Sequence, residues 1–229
     1  MLDKVRKLLA KAEDPACPPA EAEALTAKAT ELIAKYGIDQ AVLAAQRPEP
    51  SRVADRRVLL DAPYAREKAY LLHVVAKSMR CRGISVDERT VHVFGIDADL
   101  HCVELLFASL LVQAARALAR EPVPRGAHAA AWRRTWYVGF AQAVAGRFAE
   151  AELRTRLAED ASVRPGLELV LADRAQAVDR VVSDHYPRLA RARPRRLTGS
   201  GYKSGTVAGQ HADLGGTRLA RATAHQLDA

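Results

Sequence analysis

The chain has few aromatic residues, which make up 5% of its 229 positions, while alanine and arginine are abundant. That balance leans helical, because alanine loses the least side-chain entropy in a helix. Cysteine is also scarce: Cys17, Cys81 and Cys102 are an odd number without close spacing. A disulfide framework is not expected on that count, and a reducing cytoplasm is the expected compartment. No uncharged apolar run reaches the ~20 residues that a membrane-spanning helix needs. The opening MLDKVRKLLAKAED is amphipathic and charged, without the continuous apolar core of an export signal.

What the chain has is half apolar and one-quarter charged residues, enough to bury a real core, and a formal net charge of +8. The charge is unevenly placed. From Tyr186 to Ala229 there are eight Lys or Arg against two acids, which leaves the body nearly neutral. Between Asp184 and Asp213 there is no acid at all.

Along the chain, Leu2, Val5, Leu8, Leu9 and Ala12 recur at helical spacing, and Asp14-Pro15 and Pro18-Pro19 break the pattern. A second amphipathic helix is expected from Ala20 to Tyr36, closed by Gly37 as a left-handed cap, with a short helix from Asp39 through Ala45. These make an N-terminal helical hairpin module, residues 1–46. Residues 47–63 read as a linker with three prolines, in which Val58-Leu59-Leu60 is a short strand or docking segment. The main domain is expected over 64–190, followed by a basic, glycine-containing tail over 191–229.

Within the main domain, a helix over 64–79 is ended by Gly83. Ile84–Val86 and Thr90–Phe94 then form a β-hairpin. A long helix capped by Asp97 or Asp99 runs through Ala119, and another, carrying Trp132, Trp136 and Phe140, runs from Ala129 to Asp160. Arg164-Pro165-Gly166 stops that helix; Leu167, Leu169 and Leu171 alternate as in a third strand, a helix over 173–185 follows, and periodicity alone does not separate the two. The fold class is therefore α+β, mostly helical, with a helix-covered small antiparallel sheet.

KVRKLLAKAED, EAEALTAKATELIAKYGID and their order resemble domain-of-unknown-function family 2786, an N-terminal module of bacterial and phage proteins. VHVFGIDADLHCVELLFASLLVQAARAL, WYVGFAQAVAGRFAEA and GYKSGTVAGQHADLGG are similar to the uncharacterised segment that usually follows it. The resemblance implies no particular activity. Some relatives add a zinc-peptidase domain with HExxH, a motif this chain lacks.

Catalytic motifs are few. A zinc site from Cys81, His92, His101 and Cys102 would need the hairpin and the following helix to converge. CxxC pairs and the HxE…PCxxC pattern are both absent. The simpler reading places His92 on an exposed strand face and Cys102 in the core. No GxSxG is present, and Tyr202-Lys203-Ser204 fails the phosphate-loop rule because glycine does not precede the lysine. Gly201, Gly205 and Gly209 form a smooth stripe suited to close packing of a helix.

Arg188, Arg191, Arg193, Arg195, Arg196 and Lys203 form an acid-free cluster suited to phosphate backbones. Arg133 and Arg134 between Trp132 and Trp136 are a second candidate, with the tryptophans either stacking on bases or facing the core. The leading expectation is a non-enzymatic accessory protein associated with DNA or RNA, with no cofactor and no metal. The alternatives are a protein assembly module, joining a second copy or a partner through the N-terminal hairpin, and a metal-dependent enzyme using His101, Asp97 and Asp99.

Overall fold

The computed structural model describes residues 53–158, 164–190 and 196–214, with isolated positions between Lys4 and Lys28. Lys4, Lys7, Leu8 and Lys11 are helical, as are Ala20, Glu21, Ala24, Leu25 and Lys28, on either side of non-helical Cys17-Pro18. Lys11 Nζ lies 2.7 Å from Glu21 Oε1 across that break, and Leu8 packs against the core of the body. The expected Gly37 cap and the short helix from Asp39 lie outside the described residues.

Three strands, β1 (Val53–Leu59), β2 (Arg82–Ser85) and β3 (Thr90–Ile96), form an antiparallel sheet in the order β1-β3-β2. β2 and β3 are the expected hairpin, whose turn is tied by Asp87 accepting from the Arg89 and Thr90 amides at 2.7 Å. The strand expected at Val58-Leu59-Leu60 begins five residues earlier, inside what reads as linker. Its charges, Asp55, Arg56 and Arg57, mask it in the sequence, yet they suit an edge strand that must not pair with another chain.

Helix α1 (Ala65–Ser78) and helix α2 (Asp97–Arg120) cover one face of this sheet. α1 buries Leu71, Leu72, Val75 and Ala76, the three- and four-residue spacing of one helical stripe. It ends not at Gly83, which lies inside β2, but where Arg80 takes a left-handed conformation with φ 57°. α2 buries Leu100, Val103, Phe107, Leu110, Leu111, Ala114 and Leu118. It is long and apolar enough to cross a membrane, and it is the central core helix of this body. Asp97 and Asp99 sit in its first turn without capping it; the cap position is Ile96, and no side chain caps there.

Helix α3 (Ala129–Ala158) packs on α1 through Trp132, Trp136, Tyr137, Phe140, Ala141 and Val144, all buried. Each large ring in this stripe contributes on the order of 2–3 kcal/mol by leaving water. Helix α4 (Arg164–His185) takes in both the expected strand over 167–171 and the helix that was to follow it. Pro165 falls in its first turn, where a missing amide hydrogen breaks no intrahelical bond, so the Pro-Gly expected to stop a helix opens one instead. The C-terminal half of α4 covers the second face of the sheet, with Val178 and Val182 against Phe94. Helix α5 (Tyr202–Gln210) closes the body against α3.

Candidate functional site

The site is built on the pairing of α3 with α5. The Gly201, Gly205 and Gly209 stripe faces the backbone of α3 at Trp132, Trp136 and Phe140 in turn. Both series rise by four, so the helices run parallel and their N-terminal ends lie side by side. A Cβ at Gly209 would stand 2.5 Å from the Phe140 carbonyl, and at Gly201 and Gly205 the Trp132 and Trp136 carbonyls are closer still. Gly139 returns the fit from α3, against the Tyr202 carbonyl.

Polar groups lock the same register. Thr135 Oγ1 accepts from the Gly201 amide at 3.0 Å. At the far end, Arg147 donates to the carbonyls of Gly209 and Ala212, satisfying acceptors that a helix C-terminus leaves open. Gln113 of α2 brackets Asp213, donating to its carbonyl at 2.9 Å and accepting from its amide at 2.6 Å. The segment 201–214 is thus part of the body rather than a tail beside it.

Where the two helices begin, a cavity of about 220 Å³ is lined by Ala127, His128, Ala131, Trp132, Thr198, Gly199 and Ser200. His128 Nδ1 receives the Ala131 amide at 3.4 Å, a long capping bond. No side chain caps α5, and neither helix has an acid in its first turn. Arg125 is exposed on the loop entering α3, Arg196 on the segment entering α5, and Lys203 within the first turn of α5. Thr198, Gly199 and Ser200 therefore pass the start of α3, with Arg196 two residues before them.

The sequence-derived residues divide clearly. Arg134, Arg188, Arg196 and Lys203 are exposed and Arg133 is half-buried, and no carboxylate pairs with them among the described residues. Arg191, Arg193 and Arg195 lie outside the described residues. Trp132 and Trp136 are 2% and 0% exposed, so they are not base-stacking platforms; at i and i+4 they face the core while Arg133 and Arg134 point away. Trp136 donates from Nε1 to Glu121 at 2.9 Å and stacks on Phe140 with ring centroids 5.4 Å apart.

The four residues considered for zinc do not converge. Cys81 belongs to the main core, on the sheet face of Val91 and Val93, whereas His92 faces the opposite side under α4. His92 is buried rather than exposed, and Cys102 is exposed rather than in the core. Burial pushes the Cys81 thiol up to about 12. His101 Nδ1 donates to the Asp97 carbonyl at 2.8 Å, and Arg56 holds the Asp97 carboxylate at 2.7 Å. Burial raises the Asp99 carboxyl above its ordinary range. Among the described residues no group of three His, Cys, Asp or Glu is placed to hold a metal ion.

One polar constellation has no local signal in the sequence. His92 Nε2 lies 2.7 Å from Asp55 Oδ2, and its Nδ1 lies 2.8 Å from the Tyr186 hydroxyl. The three come from β3, β1 and the residue after α4, so only the tertiary fold assembles them. His185 joins edge-on, its ring 5.9 Å from His92 and 5.2 Å from Phe94. The hydrogen bond from His92 holds the Asp55 carboxyl below the usual carboxylate range, with His185 and Arg56 adding to it.

No curated protein and no solved structure matches the chain. Residues 1–40 match the model of a family described as a protein of unknown function (DUF2786), so the chain opens with the module that its first forty residues resemble.

Proposed function

We propose that the chain is a nucleic-acid-associated protein that contacts the phosphate backbone at the start of α3 and α5. The observation that carries this reading is the parallel pairing of those helices, which turns two N-terminal ends toward one cavity. Amides in the first turn of a helix have no intrahelical acceptor and carry partial positive charge, which favours an anionic oxygen. Arg125, Arg196 and Lys203 add formal charge around the same place, and no acid lies between Asp184 and Asp213 to offset it. Such contacts release counterions and read backbone rather than base sequence. The burial of Trp132 and Trp136 removes stacking from the reading and leaves electrostatics.

The test is a gel shift across a salt series with single-stranded and duplex oligonucleotides. Substitution of Arg193, Arg195 and Arg196 by alanine is expected to weaken binding and flatten its salt dependence. Unchanged affinity and slope would overturn the proposal.

A further inference from the structure

The network beneath α4 has the arrangement of a nucleophile, a base and an orienting carboxylate. We propose that Tyr186, His92 and Asp55 are the nucleophile, the general base and the positioning residue of a phosphodiester-transfer site. An ionised carboxylate only accepts hydrogen bonds, so the nitrogen facing Asp55, Nε2 at 2.7 Å, carries the proton. In the neutral imidazole, Nδ1 then holds the lone pair, and it lies 2.8 Å from the Tyr186 hydroxyl. Asp55 thereby fixes the tautomer in which His92 takes a proton from Tyr186, the logic of the Ser-His-Asp triad with a phenol as nucleophile. Asp55 remains ionised well below neutral pH, because the bond from His92 favours its charged form.

The surroundings favour a phosphodiester over an uncharged ester. Arg57 stands directly across from His92 in the β1–β3 register, on the same sheet face, and it is exposed. Arg188 lies two residues beyond Tyr186, also exposed, and His185 adjoins the His92 ring. Neither arginine pairs with a carboxylate among the described residues. Tyr186 is half-buried and the Asp55 side chain is 47% exposed, so the set reaches solvent beside β1.

In the reaction, Tyr186 Oη attacks phosphorus and its proton passes to His92 Nδ1. The bond from phosphorus to one ester oxygen breaks, and the departing alkoxide takes the proton from His92. The products are a phosphodiester linked to Tyr186 and a free alcohol; water or a second alcohol then attacks the phosphorus and restores Tyr186.

The test uses the full chain and bis(p-nitrophenyl) phosphate, a diester too small to need the α3–α5 cavity. The expected result is a burst of one p-nitrophenolate per chain followed by slower turnover, with the matching mass increase on the Tyr186 peptide during the burst. Tyr186→Phe, folded as judged by circular dichroism and thermal melting, loses both signals. Asp55→Asn keeps Tyr186 but slows adduct formation by roughly a hundredfold. The absence of an adduct on the wild-type chain, or an adduct or turnover that survives Tyr186→Phe, overturns the proposal. The substrate class agrees with the nucleic-acid reading, yet the two fail separately. A Lys203→Glu chain that no longer binds oligonucleotides still reacts with the small diester, whereas Tyr186→Phe still binds them.

Discussion

Gly205 lies so close to the carbonyl oxygen of Trp136 that a single side-chain carbon at 205 would overlap it. This approach ties the C-terminal segment to the long helix and sets the register that brings Arg196 and Lys203 beside the start of α3. The glycines at 201, 205 and 209 cost helix propensity, and what they return is contact between two backbones along two turns.

Gly205→Ala is expected to destabilise the protein by about 1–3 kcal/mol, because the obstacle is backbone that cannot rotate away. Gly146→Ala is the matched control on α3, since an added Cβ there meets nothing within 4 Å. The control should be neutral or stabilising by up to about 1 kcal/mol through helix propensity. Chemical denaturation of the two variants measures both.

The buried tryptophans give a second expectation. With Trp132 and Trp136 2% and 0% exposed, their emission should be blue-shifted and poorly quenched by iodide. Saturating oligonucleotide should leave that emission nearly unchanged. Strong quenching by the nucleic acid would place a tryptophan against the bases and contradict the assignment.

Asp55 makes acid stability specific. Its folded pKa is depressed below 3.8 by the hydrogen bond from His92, so its contribution is present above that value and lost as pH falls through the folded pKa. The melting-temperature gap between wild type and Asp55→Asn should therefore be widest above pH 3.8 and close on further acidification. Melting curves over a pH series read this directly. A gap that widens as pH falls below 3.8 would mean that Asp55 is not held by His92.

Cys81 works at the other end of the scale. Burial keeps its thiol protonated up to about 12, whereas an unfolded thiol ionises near 9.0. The contribution of Cys81 to stability is therefore full below 9.0 and lost progressively as pH rises from there toward 12, because the unfolded state gives up the proton first. In the native protein iodoacetamide should modify exposed Cys102 before Cys81, and denaturant should be needed to reach Cys81. Peptide mass mapping after timed alkylation measures the order.

Much of the fold was legible because its signals are local. Ile84–Val86 and Thr90–Phe94 alternate around a turn, α1 and α2 show clean helical stripes, and the Gly201/Gly205/Gly209 spacing pointed to close helix packing. What failed depended on context. β1 is a strand because β3 offers it a partner, and its Asp-Arg-Arg centre resembles a linker when read alone. Leu167–Leu171 alternates for too short a stretch to decide between strand and helix, and Pro165-Gly166 reads equally as a stop or a start. His92 appeared exposed because the helix that covers it arrives some ninety residues later. The Asp55–His92–Tyr186 set was illegible for the same reason. Charge placement was readable as an acid-free stretch, but the partnership of Arg196 with the start of α3 depends on the parallel helix pair.

The central claim is that the paired start of α3 and α5 binds a phosphate backbone. The most direct measurement is the slope of log affinity against log salt, from about 50 to about 200 mM, for wild type, Arg196→Ala, Lys203→Ala and an Arg66→Ala control. Arg66 is exposed and pairs with Glu88, away from the cavity. The account predicts that Arg196→Ala and Lys203→Ala each lower the magnitude of the slope by about one, while the control keeps it. Slopes equal in all four proteins would contradict it.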